Sequence, residues 1–223
     1  MKDKPDFTMV KFTFDQPGEQ VVVESAAMVA RSSSMRMETN MRGGMLAAAK
    51  RKLMGGESLF QNTFTSSAPG ETLYVAPAPE GDVEPLELDG STPIMMSSGA
   101  YLCSSPTVQL DTKWGGAKGF FSGTGMFLLK AEGTGPVFFS CYGGIHAVDV
   151  GPGGYICDTS HVVAFTGGLQ YDVQKIGGIK SLFFSGEGLV CNFQGQGRLW
   201  ISTRNPSSLA SFIQPYRPVQ RSN

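Results

Sequence analysis

One short string occurs three times in this chain, and that repetition limits the possible folds more than any other feature. LMGGESLF (53–60), FFSGTGMF (120–127) and FFSGEGLV (183–190) align without gaps. Each copy has two bulky apolar residues, a small one, and then a glycine: Gly56, Gly123 and Gly186. An intervening pair and two more apolar residues complete it. Self-similarity on this scale marks a chain that builds its core from copies of one supersecondary unit.

The register extends to both sides. Upstream, Met35-Arg36-Met37-Glu38, Val108-Gln109-Leu110-Asp111 and Leu169-Gln170-Tyr171-Asp172 share an alternation that ends in an acid. Ten residues before each acid lies an apolar patch: Met28-Val29, Tyr101-Leu102 and Val162-Val163. Downstream, Leu73-Tyr74-Val75, Val137-Phe138-Phe139 and Leu199-Trp200-Ile201 supply a further strand. Alternation with period 2 over short stretches is the pattern of half-buried strands. The expected architecture is all-β, three tandem repeats spanning about 8–84, 85–146 and 147–205, with a short C-terminal helix and tail over 206–223. Gly56, Gly123 and Gly186 are expected to serve turns or bulges, where positive φ carries no steric penalty. A phosphate cradle would need a helix to follow the glycines, and β-type residues follow instead. The three acids recur at equivalent positions, which points to a structural task such as turn capping.

Composition excludes several function classes. Charged residues make up 17% of the 223 residues, against about 25% in an average domain. With 29 glycines, this suits short strands, tight turns and a surface hidden by assembly. The net charge of −1 provides no basic field to draw in nucleic acid, so no DNA partner is expected. Cys103, Cys141, Cys157 and Cys191 sit in apolar runs without ligand spacing and read as small core residues in a reducing compartment. No apolar run approaches 18 residues, and the opening MKDKPDFTMV lacks the apolar stretch of a secretory signal. The expected location is the cytoplasm.

Departures from regularity are the candidate sites. The first unit carries a longer connection, with Met45 inside a run of helix formers ending in Lys50, Arg51 and Lys52. This 41–56 segment reads as core or subunit contact, or as a surface for a partner or for peripheral contact with an anionic membrane. Asn205-Pro206 marks a helix start, and Pro215 ends that helix. Only two histidines occur, His146 and His161, without the paired-histidine set of a β-helix metal site. A partly buried histidine needs both ring nitrogens satisfied, so Asp158 or a backbone carbonyl is expected beside His161. His146, Asp158 and His161 are the candidate ligand or interaction residues, forming a shared polar pocket if the strands bring them together. No nucleophile elbow or metal triad is present, so neither catalysis nor a cofactor is expected.

The strings GGESLFQNTF (55–64), PLELDG (85–90), KGFFSGTGMFLLK (118–130), GGIHAVDV (143–150), DTSHVVAF (158–165), GGIKSLFFSGEGLVCNF (177–193) and TRNPSSLASFI (203–213) resemble the family named for altered inheritance of mitochondria. The resemblance runs from about Gln20 to Ile213. It implies a double-stranded β-helix-like fold related to the tryptophan-sensing attenuator, units packed side by side, and a ring-like homo-oligomer with a trimer favoured. It brings no enzymatic activity. The function expected is that of an oligomeric scaffold or partner-binding protein, against a ligand- or RNA-binding ring or peripheral membrane association.

Overall fold

The computed structural model describes residues 1, 4–41, 60–111, 128–175 and 189–217. Gly56, Gly123, Gly186, Met45, Lys50, Arg51 and Lys52 lie outside the described residues, as does the rest of the 41–56 segment beyond Met41. The chain is all-β, with one short C-terminal helix.

Antiparallel pairings follow one order at three places along the chain. In the first, β1 (Val10–Thr13), β6 (Thr72–Val75) and β3 (Met28–Arg31) form one sheet, with β6 central. Beside it, β5 (Phe60–Thr65) lies between β2 (Gln20–Glu24) and β4 (Arg36–Met41). At the far end of the chain, β17 (Gly197–Ser202) lies between β12 (Ile145–Val150) and β14 (Val162–Thr166). There β16 (Leu189–Gln194) lies between β13 (Tyr155–Asp158) and β15 (Gln170–Lys175).

Between these, β7 (Val83–Asp89), β8 (Ile94–Ser97), β9 (Tyr101–Ser104) and β10 (Val108–Asp111) repeat the scheme around a single long strand. That strand, β11 (Leu128–Ser140), pairs with β8 and β10 along its first half and with β7 and β9 along its second. One strand thus does the work of β5 and β6 together. Pro85 is accommodated in β7 because this strand has β11 as its only described strand partner, and its other edge needs no donor. The division points expected after 84 and 146 fall just inside β7 and β12.

The third strand of each group also carries the same irregularity. Its register shifts around Val29 in β3, Leu102 in β9 and Val163 in β14. Glu38 and Asp172 lie within strands and Asp111 ends one, opposite Thr63, Asn192 and Lys130 respectively. All three are exposed, and Glu38 and Asp172 lie inside strands, away from the turns they are expected to cap.

Each group encloses a core. One gathers Phe14, Val23, Phe64 and Leu73, and takes in Leu102 and Cys103 from β9. The middle core holds Tyr101, Leu129 and Phe139, with Val163, Ala164 and Trp200 added from β14 and β17. The last holds Phe165, Phe193 and Leu199, and takes in Met95 and Leu128. Aromatic edges organise two of them: Phe139 meets Trp200 at 5.4 Å and 75°, and Phe165 meets Phe193 at 5.1 Å and 63°. All four cysteines are buried and free. The helix α1 (Pro206–Ile213) starts as its Asn205-Pro206 signal predicts, with the Asn205 side chain accepting from Ser208 N; none of its residues is buried.

Candidate functional site

The pairings place equivalent pieces of the chain at one end of the molecule. The end of the second strand of each group or the turn that follows it, and the segment after its last strand, line a common cleft of about 310 Å³. Glu24 and Ser97 end the second strands of their groups, Ser160 lies in the turn after β13, and Pro77, Cys141 and Arg204 come from the segments after the last strands. Two of the turns are single short 3-10 turns, Ser98–Ala100 and Thr159–His161.

Their polar groups are engaged in holding the turns. Ser97 Oγ donates to the carbonyls of Val162 and Val163 at 3.0 and 3.1 Å, tying β8 to the start of β14. Asp158 Oδ1 accepts from both the backbone N and the Oγ of Ser160 at 2.7 Å, an Asx-type cap on the 159–161 turn. Thr159 Oγ1 donates to the carbonyl of Leu189 at 3.0 Å.

His161 is held on both nitrogens. Nδ1 lies 2.7 Å from the carbonyl oxygen of Ser202, which can only accept, so Nδ1 carries the proton. Nε2 then accepts from Asn205 Nδ2 at 3.0 Å. The assignment is self-consistent, because Asn205 Oδ1 accepts from Ser208 N at 2.8 Å and leaves its NH₂ free to donate. The ring is thus a strut between the 159–161 turn, the end of β17 and the start of α1. The expected backbone carbonyl is its partner, and Asp158 bonds to Ser160 instead.

His146 sits elsewhere. It is exposed on β12, opposite Ile201, and none of the hydrogen bonds among the described residues joins it to Asp158 or His161. The geometry therefore brings Asp158 and His161 onto one turn and leaves His146 on the outer strand. His146 is exposed on this strand, so it needs no buried partner.

The cysteine chemistry near the cleft is quiet. Burial, followed by the charge of Asp82, pushes the Cys141 thiol up to about 12. Burial also raises Cys157 and Cys191, which face each other across β13 and β16, to about 12. Such thiols are almost wholly protonated at neutral pH and make poor nucleophiles. Among the described residues no three of His, Cys, Asp and Glu are grouped so that they could hold a metal ion. No described helix is long and apolar enough to cross a membrane.

Sequence reasoning missed Arg204, Glu24 and the second role of Asn205. Asn205 carried a visible signal as a helix cap, but its contact with His161 spans 44 residues and leaves no local trace.

Comparison with known proteins places the chain. The model of the family described as "Mitochondrial biogenesis AIM24" matches residues 1–204. An uncharacterised protein of Streptococcus pyogenes serotype M6 is 27% identical over 221 residues, covering 96% of this chain and 88% of the relative. The crystal structure of a Streptococcus pyogenes protein solved by structural genomics superposes with a TM-score of 0.79 at 26% identity, covering 97% of each chain. The chain belongs to the AIM24 family, and its fold is that of the streptococcal structure.

Proposed function

We propose that this AIM24-family chain is a non-enzymatic assembly protein: a scaffold whose β units stack side by side, within the chain and between chains, to present a surface to a partner. The observation that carries the reading is the way the units are joined. At both internal junctions a strand of one group adds directly to the sheet of the next: β2 pairs with β9, and β8 pairs with β14. Backbone pairing of this kind is indifferent to whether the next unit lies in the same chain, so it extends naturally to oligomers.

The polar chemistry at the cleft supports the same reading. Asp158 is engaged by Ser160, His161 by Ser202 and Asn205, and Ser97 by the Val162 and Val163 carbonyls, as struts would be. The four thiols serve as small core residues, in keeping with a reducing compartment. Light scattering on the purified chain at micromolar concentration tests the proposal. An oligomer is expected, and a monomer across the whole range overturns it.

The cleft favours a second reading. Arg204 and Glu24 bring opposite charges to a concavity lined by all three groups of strands, large enough for a small polar molecule. Thermal-shift screening against anionic and zwitterionic metabolites tests this. A stabilisation lost in Arg204→Ala would favour the cleft as a binding site.

A further inference from the structure

The internal junctions follow a rule that leaves one strand at each end of the molecule unused. In both, the second strand of one group pairs antiparallel with the third strand of the next. The register is also shared. Val22 faces Ser104 and Val23 faces Cys103 in the first junction; Met95 faces Phe165 and Met96 faces Ala164 in the second. Val22 and Met95 are equivalent, because their partners Thr63 and Lys130 face the equivalent acids Glu38 and Asp111. By the same construction the third member of the set is Ile156, opposite Asn192, which faces Asp172.

The unused strands are β13, a second strand, and β3, a third strand. Among the described strands β13 pairs with β16 alone and β3 with β6 alone. Exposure follows the missing neighbours. Val29 in β3 is 57% exposed, whereas its equivalents Leu102 and Val163 are 0% and 3%. Ile156 in β13 is 64% exposed, whereas its equivalents Val22 and Met95 are 7% and 2%. Met28 and Tyr155 are exposed beside them. Strand edges left open in monomeric proteins are usually blunted by charge or proline; these two have one charged residue each, Arg31 and Asp158, yet leave Met28-Val29 and Tyr155-Ile156 exposed. β3 even has, at Val29, the bulge that its two covered counterparts have.

We propose that β13 of one copy adds to β3 of a second copy, antiparallel, with Ile156 opposite Arg31 and Cys157 opposite Ala30. A second copy is the fitting occupant because the two edges repeat, position for position, the two halves of the internal junctions. The interface joins unlike edges, so it propagates head to tail and ends either in a closed ring or in an open filament. This inference rests on the scaffold reading above and identifies its interface.

The test uses Val29→Asp, which blocks the β3 edge, and Ile156→Lys, which blocks the β13 edge, in the full chain. Each variant is expected to keep the wild-type circular dichroism and to lose the oligomer peak in light scattering. Mixed in equal amounts, they restore a dimer and nothing larger, since one good edge of each kind remains. In a second measurement, mild oxidation of Arg31→Cys/Ile156→Cys is expected to link separate chains, reducibly. An oligomeric wild type whose edge variants assemble unchanged, or two monomeric variants that form no dimer on mixing, overturns the edge pairing while the scaffold reading stands. A monomeric wild type overturns both, and cross-links confined within single chains overturn the head-to-tail geometry.

Discussion

β9 and β3 have the same place in their groups of strands, the same length and the same bulge, yet all four residues of β9 are buried and all four of β3 are exposed. The strands differ in what lies beside them. β9 has β2 on its free edge, while no described strand lies against that of β3. The comparison teaches that burial here belongs to the junction rather than to the strand: an apolar residue on the third strand is core only where the second strand of another unit covers it. The middle group, covered at both of its linking edges, is the closed part of the molecule, and each outer group has one linking edge left open.

Matched substitutions at the bulge break this comparison most sharply. Leu102→Asp places an unpaired carboxylate at a fully buried position and should cost more than about 4 kcal/mol, enough to prevent folding. Val29→Asp, at the same point of β3, should shift the stability of the isolated chain by no more than about 0.5 kcal/mol. Denaturant unfolding of dilute samples checks the pair, and equal penalties would erase the distinction between covered and open edges.

A second contrast compares cores. Phe139→Ala removes a ring from the middle core and its edge-on contact with Trp200, for a loss of about 3–5 kcal/mol. Phe12 makes a similar edge contact with Phe138 at 5.4 Å but is only partly buried, so Phe12→Ala should cost less than half as much. Urea midpoints for the two variants would show it.

The strut at the cleft ranks next. His161→Ala removes the hydrogen bonds to Ser202 and Asn205, each with a net value of about 0.5–1.5 kcal/mol, and its melting temperature should fall accordingly. Asn205→Ala should loosen α1 by about 1 kcal/mol, with little change in global melting, since α1 buries none of its residues. Hydrogen exchange at Ser208 and Leu209 would report that loss.

The corner before β6 brings pH into the comparison. Hydrogen bonds from the Ser34 hydroxyl, above all, and from Ser67 N hold the Glu71 carboxyl below its ordinary value of 4.5. A depressed carboxyl stabilises the fold while ionised. Its contribution is present above pH 4.5 and is lost as pH falls through the lower folded value. Glu71→Gln should flatten this acid limb in pH-resolved melting curves, and an unchanged limb would assign it to other carboxylates.

Much of the fold was legible because repetition amplifies a weak signal. Alternation over four residues says little alone, but three aligned copies at Met28-Val29, Tyr101-Leu102 and Val162-Val163 marked the third strand of each group. Asn205-Pro206 announced α1 by local chemistry, and the apolar setting of the cysteines announced their burial. The open edges left no such mark. Met28-Val29 and Tyr101-Leu102 are alike as sequence, and only the neighbour, set by non-local pairing, separates surface from core. The cleft was equally hidden, since Arg204, Glu24 and Ser97 meet through the ends of strands far apart in the chain.

β11 carries a further consequence, for how the gene can be cut and rejoined. In the first group the fifth and sixth strands are separated by residues 66–71, and in the last by residues 195–196. Those links can in principle be nicked, lengthened or turned into new termini with both flanking strands left whole. The middle group has no such link: β11 runs unbroken from Leu128 to Ser140. At its midpoint Gly133 has φ +119°, and a Cβ there would stand 2.3 Å from the Thr107 carbonyl oxygen. A circular permutant opened in the first or last link should fold, while one opened at Gly133 would sever the strand shared by both sheets of the middle unit.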